Sequence, residues 1–337
     1  LAGEWMHPVF LHNNRQGKLV PVKTGLEVEK GWWSSLLSGD FDNDGDMDYI
    51  AGNTGLNTLY RANAREPVSI YAADFDKNGS FDAVPALFLE DSAGRRREFP
   101  AHTRDDLIKQ MIMMRARFPR YHDFAVATLQ EVLKPEELKG ALQLKAVNLH
   151  SCYFENKGNG RFTCRPLPVQ AQLSPLYGML AADVNGDGNL DVVINGNDFG
   201  TDVALGRYDA LNGLVLLGDG KGGFTPLDIA QSGIYIPGDG KALVQLKDQE
   251  GNILLAASQN QGPLKVFRLQ QYARVLLLQC KDAWATVHYA NGHTQKQECS
   301  YGQGFLSQSG RHLTFTAPVS KVVITDFSGN KRTVTLP

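Results

Sequence analysis

Long apolar runs are missing from this chain of 337 residues. No stretch approaches the ~18–20 apolar residues that a membrane-spanning helix requires, so membrane association is expected only through segments outside this chain. An excess of one charge is missing as well. Lys and Arg number 34 against 36 Asp and Glu, a net charge near −2, and a nucleic-acid partner is excluded for want of a basic footprint. Cysteine is scarce, at four residues with no CxxC, which removes the usual zinc frameworks. The eight His at 7, 12, 102, 122, 150, 288, 293 and 312 form no HExxH, and there is no G-x-S-x-G elbow; the motifs argue for no hydrolytic centre. The opening Leu-Ala-Gly-Glu-Trp has neither an initiator Met nor an apolar leader. It reads as the start of a processed piece of a longer, exported protein.

What is present is glycine, 34 residues, among short apolar runs and a hydrophobic content of 42%. Many turns between short strands predict an all-β protein. The most informative pattern occurs three times: Asp40-Phe-Asp42-Asn-Asp44-Gly-Asp46-Met-Asp48, Asp74-Phe-Asp76-Lys-Asn78-Gly-Ser80-Phe-Asp82 and Asp183-Val-Asn185-Gly-Asp187-Gly-Asn189-Leu-Asp191. All fit D-x-[DN]-x-[DN]-G-x-x-D. Side chains at positions 1, 3 and 5 converge when Gly at position 6 allows a sharp turn. The carbonyl at position 7 and the carboxylate at position 9 then bring the oxygen count towards what calcium takes. A single such loop is an ordinary Asx-rich turn; three in one chain predict about three calcium sites. Position 12 is Ala51, Pro85 or Ile194 rather than Glu, and the flanks are apolar and β-like, so these are strand-to-strand loops and not EF-hands.

Gly-rich hairpins follow at Ser151–Cys164 and at Leu214–Phe224, with another at Pro8–Val20. Gly218-x-Gly220-x-x-Gly223 is followed by Phe-Thr-Pro and reads as a hairpin turn, not a dinucleotide fingerprint. Units of about 40–60 residues with several short strands each suggest propeller blades. One segment departs from this pattern. Thr103-Arg-Asp-Asp106 reads as a helix start, Leu107, Ile108, Met111, Met114 and Phe118 recur at helical spacing until Pro119, and further helices are expected over 121–133 and from Pro135. Residues 101–147 are therefore expected to be a helical insertion inside the second unit. In the first of these hairpins, turning at Lys157-Gly158-Asn159, Cys152 opposes Cys164. A cross-strand disulfide and a pair of small buried hydrophobes are both open readings. A tight turn at Asn291-Gly292 would set Cys299 opposite Trp284, and the state of Cys280 and Cys299 also stays open.

The acidic loops followed by strands, with G-x-G-x-F hairpins closing the units, resemble the FG-GAP (VCBS-type) repeat, which also builds the calcium-stabilised propeller of the integrin α-chain head. The resemblance covers roughly residues 22–228. It implies calcium shells from Asp40, Asp42, Asp44, Asp46 (by its carbonyl) and Asp48; from Asp74, Asp76, Asn78, Ser80 (carbonyl) and Asp82; and from Asp183, Asn185, Asp187, Asn189 (carbonyl) and Asp191. The tail around Gly302-Gln-Gly304-Phe-Leu-Ser-Gln-Ser309 is similar to an ASPIC/UnbV domain, although Leu313-Thr-Phe-Thr-Ala-Pro318 replaces that family's glycine-rich step. The whole layout resembles large exported surface proteins of Bacteroidetes-type bacteria. It implies a partial propeller of about four blades over 1–270, a small β domain over 271–337, and an extracellular or outer-surface location.

For a ligand, two places stand out. Trp32-Trp33 precedes the first unit, and the polar connection Asn195–Asn212 carries Phe199, Asp202, Arg207, Tyr208 and Asp209. Aromatic and charged groups on such a loop suit a glycan or protein partner, with core packing the competing reading for the tryptophans. The expected function is non-enzymatic binding; the alternative is an extracellular polysaccharide hydrolase or lyase whose site is partly on missing blades.

Overall fold

The computed structural model describes residues 1–203 and 205–335. Ala204, within the 195–212 connection, and Leu336 and Pro337, at the end of the expected C-terminal domain, lie outside the described residues. The chain is all-β, with 41% strand and 10% helix, arranged in open antiparallel sheets.

The first sheet holds Ser35–Gly39, Asp48–Gly52, Cys152–Asn156 and Phe162–Pro166. Between its second and third strands the chain leaves to build an entire second sheet: Leu142–Ala146, Val68–Ala73, Asp82–Glu90 and Arg96–Pro100 in spatial order. The third sheet is a meander of Leu176–Ala182, Asp191–Gly196, Leu214–Gly218 and Phe224–Leu227. Asp239–Lys247, Ile253–Asn260 and Lys265–Arg268 make a three-stranded fourth.

The third sheet is covered on both faces, which explains the unbroken apolar run Val192-Val-Ile194. Val192 and Ile194 join Ile50 and Tyr153 of the first sheet, while Val193 faces Leu243, Leu255 and Ala257 of the fourth. Period-two alternation thus feeds two cores from one strand. The leading strands of the first, third and fourth sheets lie side by side. Ser35 Oγ donates to Leu176 O at 2.8 Å, and Asn195 Nδ2 donates to Ala242 O at 3.0 Å.

The helical segment packs on the second sheet and is shorter than the expected 101–147: its last helix ends at Leu138, and Leu142–Ala146 is a strand, drawn out by pairing with Val68–Ala73. Leu107, Met111, Met114 and Phe118 share a core with Phe75, Val84 and Ala86, as their spacing predicts. The helices are shorter than that spacing implies. Thr103 caps Arg104–Gln110, the backbone turns extended at Met111, and only Met114–Arg117 follows. The expected 121–133 helix divides into Tyr121–Ala125 and Leu129–Val132, because Thr128 and Glu131 form a capping box that starts a new helix.

Two hairpin registers also differ. Lys157 N donates to Arg161 O at 2.7 Å, with Gly158, Asn159 and Gly160 all at positive φ. The turn sits one position later than expected, at 158–160 rather than 157–159, and so pairs Cys152 with Pro166 and Phe154 with Cys164, rather than Cys152 with Cys164. Both cysteines are free thiols, as are Cys280 and Cys299. At Asn291-Gly292 the loop is one residue longer than a tight turn, so Trp284 faces Glu298.

From Arg274 on, the chain forms a two-stranded pair, Arg274–Leu277 with His312–Phe315, and a four-stranded sheet of Thr294–Glu298, Asp282–Tyr289, Val319–Asp326 and Lys331–Val334. These strands share their own core, including Val287, Phe315 and Ile324.

Candidate functional site

Each acidic loop joins two antiparallel neighbours in a sheet, and the three share one internal hydrogen-bond pattern. The position 1 carboxylate accepts from the position 6 N–H: Asp40 from Gly45 at 3.2 Å, Asp74 from Gly79 at 2.9 Å, Asp183 from Gly188 at 2.9 Å. Position 3 accepts from position 5, and position 5 from position 7, as Asp44 does from Asp46 N at 2.8 Å. Position 9 closes the turn on the position 2 N–H, seen at Asp48–Phe41, Asp82–Phe75 and Asp191–Val184. Gly45, Gly79 and Gly188 sit near φ +90°, where a side chain would be strained. Three different sequences therefore take one loop conformation.

In the first loop, carboxylate oxygens of Asp40, Asp42 and Asp44 lie within 4.8 Å of one another; in the second, those of Asp74, Asp76 and Asp82 do. Both clusters could hold a metal ion. Asp40 is fully buried, and its Oδ1 has no hydrogen-bond partner among the described residues. Burial pushes its pKa up to about 6, with Asp44 and Asp42 adding to the rise. An ionised carboxylate in such a place calls for a cation. Asp42 is also raised, first by burial and then by Asp44.

Asp48 and Asp191 are placed differently. Asp48 Oδ2 accepts from the Tyr153 hydroxyl at 2.6 Å as well as from Phe41, and Oδ1 accepts from Asn156 N at 2.8 Å. Asp191 Oδ1 accepts from Gly218 N at 2.9 Å. Each latches its loop to the third strand of its sheet, and burial pushes each pKa up to about 7. In the third loop Asn185 Nδ2 donates to Asp187 Oδ2, and Asp183 accepts from Gly186, Gly188 and Thr316. Of the position 7 side chains, Asn189 Oδ1 accepts from Asn43 Nδ2 at 2.9 Å, joining the first and third loops.

The C-terminal sheet covers this end of the molecule. Lys296 N donates to Asp40 Oδ2 at 2.8 Å, Gln295 Nε2 to Asn43 Oδ1 at 2.9 Å, and Thr316 Oγ1 to Asp183 Oδ2 at 2.6 Å. His293 Nε2 lies 3.2 Å from Gly188 O. None of these partners carries a sequence signal, since two of the donors are a backbone amide and a lone Thr. The second loop lacks this cover: Phe81 is 80% exposed, whereas Met47 and Leu190 at the same motif position are buried.

The opposite end of the third and fourth sheets carries a groove of about 560 Å³. Phe199 and Arg207 line it, the guanidinium lying 4.8 Å from the ring centroid. Tyr208 does not line it; its hydroxyl meets Thr58 Oγ1 at 2.8 Å. Asp209 is exposed on the same connection. Trp33 is core, 2% exposed against Phe154, while Trp32 packs edge-on between Trp5 and Tyr60. The remaining walls, Pro237–Asp239 and Gln259–Lys265, come from a sheet without an acidic loop and bear no motif. No protein-family model matches the chain, and no curated protein is significantly similar to it.

Proposed function

We propose that this chain is an extracellular, calcium-stabilised module of β-propeller type that binds a glycan or protein ligand and carries out no chemistry on it. The observation that carries the calcium half is the buried, unpartnered Asp40 Oδ1 beside the Asp42 and Asp44 carboxylates. Asp40, Asp42 and Asp44 would hold one ion, and Asp74, Asp76 and Asp82 a second. Asp183, Asn185 and Asp187 would hold a third once the Asn185 amide turns its oxygen inward. The carbonyls of Asp46, Ser80 and Asn189 complete the oxygen sets. Bound there, calcium supplies positive charge and a flexible oxygen shell; the loops supply the turn and its latch to the sheet.

The propeller reading is supported by the repeated loop conformation and by leading strands lying side by side, as inner strands of blades do. On this reading the chain holds about four blades, with the sheet after Arg274 as the ASPIC/UnbV-like domain. Binding is favoured over hydrolysis by the groove's acid, Asp239. It is 2% exposed and held by Lys241 at 2.7 Å and Asn260 at 3.1 Å, a setting for structure rather than proton transfer.

Elemental analysis with calcium titration by calorimetry tests the metal reading. About three calcium per chain, bound in preference to magnesium, is expected. A protein free of metal whose melting ignores EDTA would refute it.

A further inference from the structure

The groove at the end away from the acidic loops has a charge pattern that selects among ligands, and we infer that it binds an acidic saccharide, one carrying uronate carboxylates. This rests on the binding reading above and narrows it to one ligand class.

Arg207 and Lys265 stand on the groove walls, one from the third sheet's connection and one from the first residue of strand Lys265–Arg268. Neither has a carboxylate partner among the described residues. Arg207 is exposed and held over Phe199 by cation–π attraction at 4.8 Å, which leaves its guanidinium less freedom to lose on binding. The one acid lining the groove among the described residues, Asp239, is neutralised by Lys241, whose ammonium also sits 3.8 Å from the Tyr177 ring centroid and donates to Asn197 O at 3.2 Å. Nearby Asp198 accepts from the Tyr177 hydroxyl at 3.0 Å and from Gly200 N at 2.8 Å. The groove therefore presents two free cations against acids already engaged.

The neutral lining suits a sugar. Gln259 is fixed by accepting from Gly238 N at 2.7 Å and donating to Pro263 O at 2.7 Å. Asn260 uses its Nδ2 on Asp239 and keeps its carbonyl oxygen for a hydroxyl donor. The volume, about 560 Å³, falls within the ordinary range for a ligand cleft. A guanidinium with a fixed plane pairs well with a carboxylate through two parallel hydrogen bonds. Lys265 supplies a point charge for a second carboxylate along the chain.

The test uses the whole calcium-loaded protein. Oligosaccharides of glucuronate, galacturonate, mannuronate and guluronate, each beside its carboxyl-reduced counterpart, are titrated by calorimetry, with neutral glucans and sulfated glycans alongside. At least one uronate oligomer should bind tenfold or more tightly than its reduced form. Its affinity should weaken as salt rises and fall tenfold or more in Arg207→Ala and in Lys265→Ala, with melting temperatures unchanged. Equal affinity for reduced and acidic forms, or binding of neutral glucans alone, would overturn the inference and leave the binding reading standing. Preference for sulfated glycans over every uronate would also overturn it. No binding of any saccharide, with calcium bound and the fold intact, would overturn this inference together with the glycan arm of the proposed function. Phe199→Ala, which frees the Arg207 side chain, should weaken the same ligand and so guards against a variant that merely misfolds.

Discussion

Replacing Asp40 with Asn separates what the first acidic loop does with a cation from what it does without one. The amide is nearly isosteric. Its oxygen can still accept from Lys296 N and Gly45 N, as Oδ2 does at 2.8 and 3.2 Å, and its NH₂ would then point to the Asp42 and Asp44 carboxylates. In EDTA at pH 7.5 the wild-type carboxyl, pushed up to about 6 by burial, is ionised at a cost. Each pH unit of displacement is worth about 1.4 kcal/mol, so Asp40→Asn should raise metal-free stability by about 1–3 kcal/mol. In calcium at a hundredfold excess over Kd, a site contributes about 2.7 kcal/mol; weakening it a hundredfold leaves about 0.4 kcal/mol. The two changes nearly cancel in calcium. The expected result is therefore a contraction, by about 5 °C, of the interval between the melting temperatures in calcium and in EDTA, arising mainly because the EDTA curve moves up. Scanning calorimetry of both proteins in both conditions measures this. An unchanged interval, or a variant whose EDTA melting falls by several degrees, would refute the argument.

Tyr153→Phe removes the hydroxyl that donates to Asp48 Oδ2 at 2.6 Å and should cost about 1–3 kcal/mol, equally in calcium and in EDTA by thermal melting. Gly220→Ala meets two obstacles, φ +67° and a Cβ directed at Asn189 Oδ1 and Asn43 Nδ2. It should destabilise by about 1–3 kcal/mol and weaken calcium binding at the first and third loops in a titration. Metal-free protein should be more stable at pH 5.5 than at pH 8. Asp40, Asp48 and Asp191 have folded pKa values raised by burial to about 6, 7 and 7, so their contribution is complete below the unfolded carboxyl range and lost as pH rises through 7. With calcium present the Asp40 part of this preference should shrink, because protons compete with the ion for its oxygens, while the Asp48 and Asp191 part remains; melting curves across that range measure both.

Local features were legible in the sequence and remote ones were not. The three loops, their strand flanks, the Thr103 cap and the Leu107–Phe118 stripe depend on residues within a few positions, and spacing exposes them. Register was less legible, because a turn shifted by one position, as at Lys157–Arg161, or lengthened by one residue, as beside Gly292, slides a whole strand. The pairing of Asp48–Gly52 with Cys152–Asn156 spans about a hundred residues and leaves no trace in period or composition. The cover on the acidic loops was hidden for the same reason: Lys296 acts through its backbone N–H, which every residue but proline has. Phe199 and Arg207 were readable as candidates on a long polar connection. Lys265 and Asp239, across the groove, were not.

The nesting of the second sheet inside the first bears on the order in which the chain can assemble. Closing a flexible loop of about a hundred residues costs on the order of 4 kcal/mol in chain entropy, and that cost falls on the pairing of Ala51 with Cys152. The insertion reduces it by folding itself. Its strands are mostly sequence neighbours, its helices bring their own core through Leu107, Met111 and Leu129, and its two ends meet where Gly55 N donates to Leu149 O at 2.9 Å. Once it has formed, the separated strands of the first sheet are held at contact distance, and their zipping becomes a local event. The second sheet should therefore form before the first can close, although it lies wholly inside it, and hydrogen-exchange labelling during refolding would record protection appearing in Val68–Ala73 ahead of Cys152–Asn156.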